Sequence, residues 1–167
     1  VSLKKCNYKK YLNKKVNYLR LNSSRSIFSV FELRKKINNI VKISKNKKNI
    51  FISNQHFANI ISVLSLQNIK NLKLILIDRN HLNELKNYDN FIRLLKNKIL
   101  LFLIKFTYKK ANAIVGISKE LCKDLSEYIG KKVFLIYNSA LDDLFFKKIN
   151  HKVNLSKKIF RKKIILN

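Results

Sequence analysis

At 167 residues and 47% hydrophobic content, the chain is long enough and apolar enough for one domain with a core, which excludes a disordered tail. Its 37 Lys and Arg against 9 Asp and Glu give a net charge of +28, which points to a polyanionic partner, either nucleic acid or an anionic membrane surface. The two cysteines, Cys6 and Cys122, lie far apart with no Cys or His at ligand spacing, so they read as free thiols of a reducing compartment, and no metal site is expected.

The charge has a second reading. Lys, Asn and Ile, whose codons are built from A and T, dominate, while Gly numbers 2 and Pro and Trp are absent. Drift in an AT-rich genome produces that profile on any fold. The lysines are spread along the chain and form no basic arm. Drift is therefore preferred to a dedicated nucleic-acid surface. A membrane surface lies between the two, because drift and function coincide there. The first residues are basic and tyrosine-rich, without the apolar stretch of a signal peptide.

In chain order, Val16 to Leu21 reads as a short strand, and Asn22, Ser23 and Ser24 punctuate it. From Ile27 the apolar residues Ile27, Val30, Phe31, Ile37, Ile40 and Val41 fall at helical spacing, and the Lys-rich stretch Ser44 to Lys48 ends that helix. A strand at Ile50 to Ser53 is followed by a helix with Phe57, Ile60, Ile61 and Leu64 on one face. A strand at Leu74 to Asp78 leads through a polar loop to a long helix, Phe91 to Tyr108. The apolar run Ile99 to Ile104 within it is too short to span a bilayer and reads as a buried or interfacial segment. A strand at Ala113 to Ile117 ends at Ser118, a natural N-cap, and the next helix buries Leu121, Cys122, Leu125 and Ile129 before Gly130 closes it. Val133 to Tyr137 is the next strand, and the tail ends in the apolar run Ile164 to Leu166. Strands alternating with helices of this length predict an α/β fold: a parallel, Rossmann-like sheet with helices on both faces and right-handed crossovers. The strands LILI, AIVGI and VFLI lack polar alternation, as strands buried on both faces do.

In such a sheet, ligands bind beyond the carboxyl ends of the strands. The candidate cleft residues are therefore Ser53, His56 and Asn59; Asp78, Arg79 and Asn80; Ser118 and Lys119; and Asn138. Asn, Ser and His supply both donors and acceptors for a hydroxyl-rich ligand. Arg79, Lys119 and the helix N-terminus at Ser118 suit a phosphate. Each has a plainer role available: Ser118 as an N-cap, Asn138 as a turn residue, His56 as a packed histidine. No Gly-rich phosphate loop, nucleophile elbow, carboxylate pair or metal cluster is present in the sequence.

Three segments together resemble glycosyltransferase family 4. Lys110 to Asp142, KANAIVGISKELCKDLSEYIGKKVFLIYNSALD, is similar to the family's a-d-a-i-v-a-v-S-k, a-x-d-L and v-x-v-I-y-N-p-v-D stretch. Phe51 to Asn59, FISNQHFAN, resembles its strand-loop segment ending in a-N, and Leu74 to Asn80, LILIDRN, its strand ending in E-R-N or E-H-N. Asp78 stands where the family has Glu, and Ser139 where Pro is common. Ile164 to Asn167 resembles the first strand of the family's C-terminal domain, which precedes a v-G-R-L segment.

The resemblance implies a fragment of a two-domain GT-B enzyme. Residues 1–146 would be its Rossmann-like, acceptor-side N-terminal domain without the family's opening strand and Gly-rich loop. Residues 147–167 would be a linker and the first strand of the donor-binding domain. The implied reaction moves a sugar from a nucleotide-sugar co-substrate to a saccharide or lipid-linked saccharide in cell-surface polysaccharide synthesis. It implies no cofactor, no metal and no specific nucleic acid, and a cytoplasmic place, peripheral on the inner face of the membrane. Because the nucleotide-sugar site belongs to the other domain, this chain alone is expected to be inactive. The alternative is a non-enzymatic basic module that binds nucleic acid or an anionic membrane surface.

Overall fold

The structure is a computed structural model that describes residues 13–22, 28–44, 48–85 and 90–137. Helix α1 (Phe28–Ile43) leads into strand β1 (Asn49–Asn54) and helix α2 (His56–Leu66). Strand β2 (Leu72–Asp78) follows, then a 3-10 turn (Leu82–Leu85) and helix α3 (Phe91–Thr107). Strand β3 (Ala113–Gly116), helix α4 (Lys119–Ile129) and the short strand β4 (Phe134–Leu135) complete the order. The four strands form one sheet in the order β1-β2-β3-β4, and every pairing is parallel. The expected parallel α/β fold is thus the one observed.

Period-two alternation decides which side chains meet the helices. Leu74, Leu76 and Asp78 of β2 share a face, and the register aligns Leu76 with Ile114 of β3. On this face Ile60 and Val63 of α2, Ile104 of α3 and Leu125 and Ile129 of α4 close one core with Leu74, Leu76 and Ile114. A second core joins α1 to α2 through Leu33, Ile37, Ile61 and Leu66. On the opposite face Ile50 and Ile52 are exposed, and the helical layer expected there is not among the described residues.

Several details depart from expectation. The extended segment Val16 to Leu21 makes only an isolated bridge at Arg20 rather than a strand. In α1 and α2, the apolar residues Phe31, Ile40, Phe57 and Leu64, expected inside, are exposed. Ser29 and Ser65 lie inside instead, and the Ser65 hydroxyl donates to the Ile61 carbonyl at 2.6 Å. A serine that returns its hydroxyl to its own helix can be buried, and apolar spacing does not register it. In α4 the expected buried set, Leu121, Cys122, Leu125 and Ile129, is the one found. The tail Ile164 to Leu166 lies outside the described residues. No helix among the described residues is long and apolar enough to cross a membrane.

Candidate functional site

Parallel strands end at one edge, so the residues after β1, β2 and β3 share that edge. The register fixes it: Asn54 aligns with Ile77, and Asp78 with Gly116. His56, Asn59 and Asp78 converge there with Tyr108, which follows α3, and all four side chains are buried. Asp78 points to the helix-covered face because it shares the face of Leu74 and Leu76. His56 and Asn59 lie on the first turn of α2, directly over the end of β2. Tyr108 comes up from the end of α3.

The contacts are dense. His56 Nδ1 is 3.0 Å from Asp78 Oδ1 and 3.4 Å from the Tyr108 hydroxyl. The Asn59 amide donates toward the Ile77 carbonyl at 3.0 Å and toward Asp78 Oδ1 and the Tyr108 oxygen, each at 3.1 Å. Two N–H bonds thus serve three acceptors. Tyr108 also hydrogen-bonds Asp78, and its hydroxyl pKa is pushed well above the usual value near 10, first by burial and then by the Asp78 charge. The phenol is therefore a permanent donor at ordinary pH.

Three buried polar atoms in this cluster have no protein partner: His56 Nε2, Asn59 Oδ1 and Asp78 Oδ2. Leaving such atoms unpaired costs about 1–3 kcal/mol each, so a cluster that keeps three has a use for them or holds water. In the neutral imidazole, donation from Nδ1–H to a carboxylate fixes the tautomer and leaves the Nε2 lone pair open. This is the arrangement of a base steadied by an acid.

The backbone beside it is strained. Gln55 has φ 82° and ψ 143°, a region that suits glycine. Its N–H donates to the Ile77 carbonyl at 3.2 Å, and its carbonyl accepts from Asn59 at 2.8 Å. The end of β2 and the first turn of α2 thereby hold an unfavourable residue next to His56, at a cost of roughly 1–3 kcal/mol.

The other candidates stand apart from this cluster. Ser53 is buried on β1 and accepts from the Ser62 hydroxyl at 3.0 Å, a strand-to-helix brace. Arg79 and Lys119 are exposed. Asn80 is exposed and donates to Glu84 at 3.0 Å across the 3-10 turn. Ser118 caps α4, its hydroxyl accepting from Leu121 N–H at 3.2 Å. Asn138 lies outside the described residues. Tyr108 was missed in the sequence, where it reads as the end of an apolar helix. Its signal was available: a tyrosine continuing a buried stripe needs a partner for its hydroxyl.

An open hollow lined by Arg34, Asn38, Lys42 and Lys70, among others, lies at the opposite, amino-terminal edge of the sheet. Among the described residues no group of three or more His, Cys, Asp or Glu side chains converges as metal ligands would. Compared with known proteins, the chain matches no family model and no curated protein.

Proposed function

We propose that this chain is the acceptor-side half of a GT-B glycosyltransferase, and that the His56–Asp78 couple receives the acceptor hydroxyl. The observation that carries the reading is the buried cluster at the carboxyl edge of a parallel sheet, with His56 Nε2 unpartnered. The resemblance of Phe51 to Asn59, Leu74 to Asn80 and Lys110 to Asp142 to glycosyltransferase family 4 supplies the reaction class.

In this mechanism the acceptor hydroxyl approaches Nε2, and its oxygen attacks the anomeric carbon of the donor sugar. The C–O bond to the nucleotide diphosphate breaks, and its electron pair leaves with the diphosphate. The hydroxyl proton passes to Nε2, and Asp78 stabilises the imidazolium through Nδ1–H. Asn59 and Tyr108 hold Asp78 in place. Nε2 is shielded from solvent, so the site must open for an acceptor to reach it. Stabilisation of the departing diphosphate falls to a donor-binding domain, because the sequence holds no Gly-rich phosphate loop.

The test is calorimetric titration of the chain with a saccharide panel and, separately, with nucleotide sugars. Saccharides should bind, and His56→Gln should abolish the heat while leaving the fold intact by circular dichroism. Binding of nucleotide sugars with no response to any saccharide would overturn the assignment. The alternative of a nucleic-acid module rests on charge alone.

A further inference from the structure

We propose that α3 is an interfacial helix that seats this chain on an anionic phospholipid surface. The proposal stands independently of the reaction at His56. Two opposite faces of α3 are apolar. One, with Leu100, Leu101, Leu103 and Ile104, packs into the core. The other carries Phe91, Ile92, Leu95, Ile99, Phe102 and Phe106, which are between 52% and 77% exposed. At about 100° per residue these six side chains fall within a single arc of about 100°. Phe102 and Phe106 pair on that arc, with ring centroids 4.5 Å apart. Scattered exposed apolar residues are ordinary, but a continuous stripe of this length marks a surface that is covered in use.

Charge identifies the cover. The helix, FIRLLKNKILLFLIKFT, contains no acidic residue. On the same projection, exposed Lys98 and Lys105 flank one side of the stripe and exposed Lys96 the other. An apolar face bordered by cations fits the boundary between acyl chains and anionic headgroups. It does not suit a second copy, because pairing two such stripes would bring like-charged borders together in a chain of net charge +28. At 17 residues the helix is roughly 25 Å long, shorter than a bilayer core of about 30 Å, so it lies on the membrane rather than across it.

The chain has no tryptophan, so Phe102→Trp places a single reporter on the stripe, and Ile50→Trp provides a control on the exposed sheet face. The full chain is mixed with phosphatidylcholine vesicles, with phosphatidylcholine/phosphatidylglycerol vesicles and with duplex DNA. On mixed vesicles the emission of the residue-102 tryptophan should shift to the blue and be quenched by brominated lipid. The residue-50 tryptophan should do neither. Leu95→Asp with Ile99→Asp should weaken vesicle partition by roughly tenfold or more without lowering the melting temperature. Lys98→Gln should weaken it by about fivefold. Three results would overturn the proposal. One is vesicle binding with an unquenched reporter at residue 102. Another is a dimer that Ile99→Asp dissociates. The third is an equal blue shift on duplex DNA.

Discussion

His56 Nδ1 lies 3.0 Å from Asp78 Oδ1, and both side chains are buried. The pair joins the first turn of α2 to the last residue of β2, so it ties fold and site together. Removing Asp78 leaves the His56 Nδ1–H and the Tyr108 hydroxyl without their buried acceptor. Asp78→Ala should therefore cost about 3 kcal/mol in urea denaturation. A loss no greater than that of a surface substitution would mean that the couple does not form in solution.

Tyr108 supplies a pH dependence of known sign. An unfolded tyrosine releases its proton near pH 10, whereas burial and Asp78 hold the folded phenol well above that. The folded state then keeps a proton that the unfolded state has lost. The stability tied to the neutral phenol is complete below about pH 10 and is lost as pH rises through the folded value. Denaturation series above pH 10 should show this loss at about 1.4 kcal/mol per pH unit. Tyr108→Phe should lack that component, and identical slopes for the two proteins would contradict the burial of the hydroxyl.

The parallel sheet was legible because its strands are short apolar runs separated by amphipathic stretches, a pattern that backbone periodicity translates directly. The edge of the sheet followed, since parallel strands share an end. Which edge residues meet was not legible. His56, Asn59 and Asp78 converge because Asp78 falls on the helix-covered face, a parity fixed by register rather than composition. Arg79, one residue on, is exposed. The partner of the Tyr108 hydroxyl was hidden because its contact with Asn59 depends on how α3 packs beside α2. The exposure of Phe102 and Ile99 was equally hidden, since α3 is apolar on both faces and spacing does not say which one the core takes.

Gly116 and Cys122 make a close approach that a side chain would disturb. A Cβ at Gly116 would sit 2.7 Å from the Cys122 sulfur. Gly116→Ala should cost on the order of 1 kcal/mol, and Cys122→Ala in the same chain should recover most of it. Thermal melts of the two single variants and the double variant form the cycle. Strict additivity would show that the contact is absent.

Ser118 separates a structural from a chemical role at the same edge. Its hydroxyl caps α4, so Ser118→Ala should lower stability by about 1 kcal/mol. Saccharide binding should stay unchanged when measured well below the melting temperature. A selective loss of binding would move Ser118 into the site.

The chain alone should transfer no sugar. Incubation with nucleotide sugars and lipid-linked acceptors, followed by chromatography of the acceptor, should give no product above background. Turnover would contradict the assignment of donor binding and diphosphate stabilisation to another domain.

The most direct test of the account is nitrogen-15 NMR of the histidine side chains, whose three sets of ring signals are assigned with His56→Gln. In the neutral state, His56 should carry its proton on Nδ1, with Nε2 as a bare acceptor. A saccharide acceptor should shift the Nε2 resonance, and a nucleotide sugar should leave it in place. A proton on Nε2 in the neutral ring, or an Nε2 signal that no saccharide moves, would contradict the claim that this couple receives an acceptor hydroxyl.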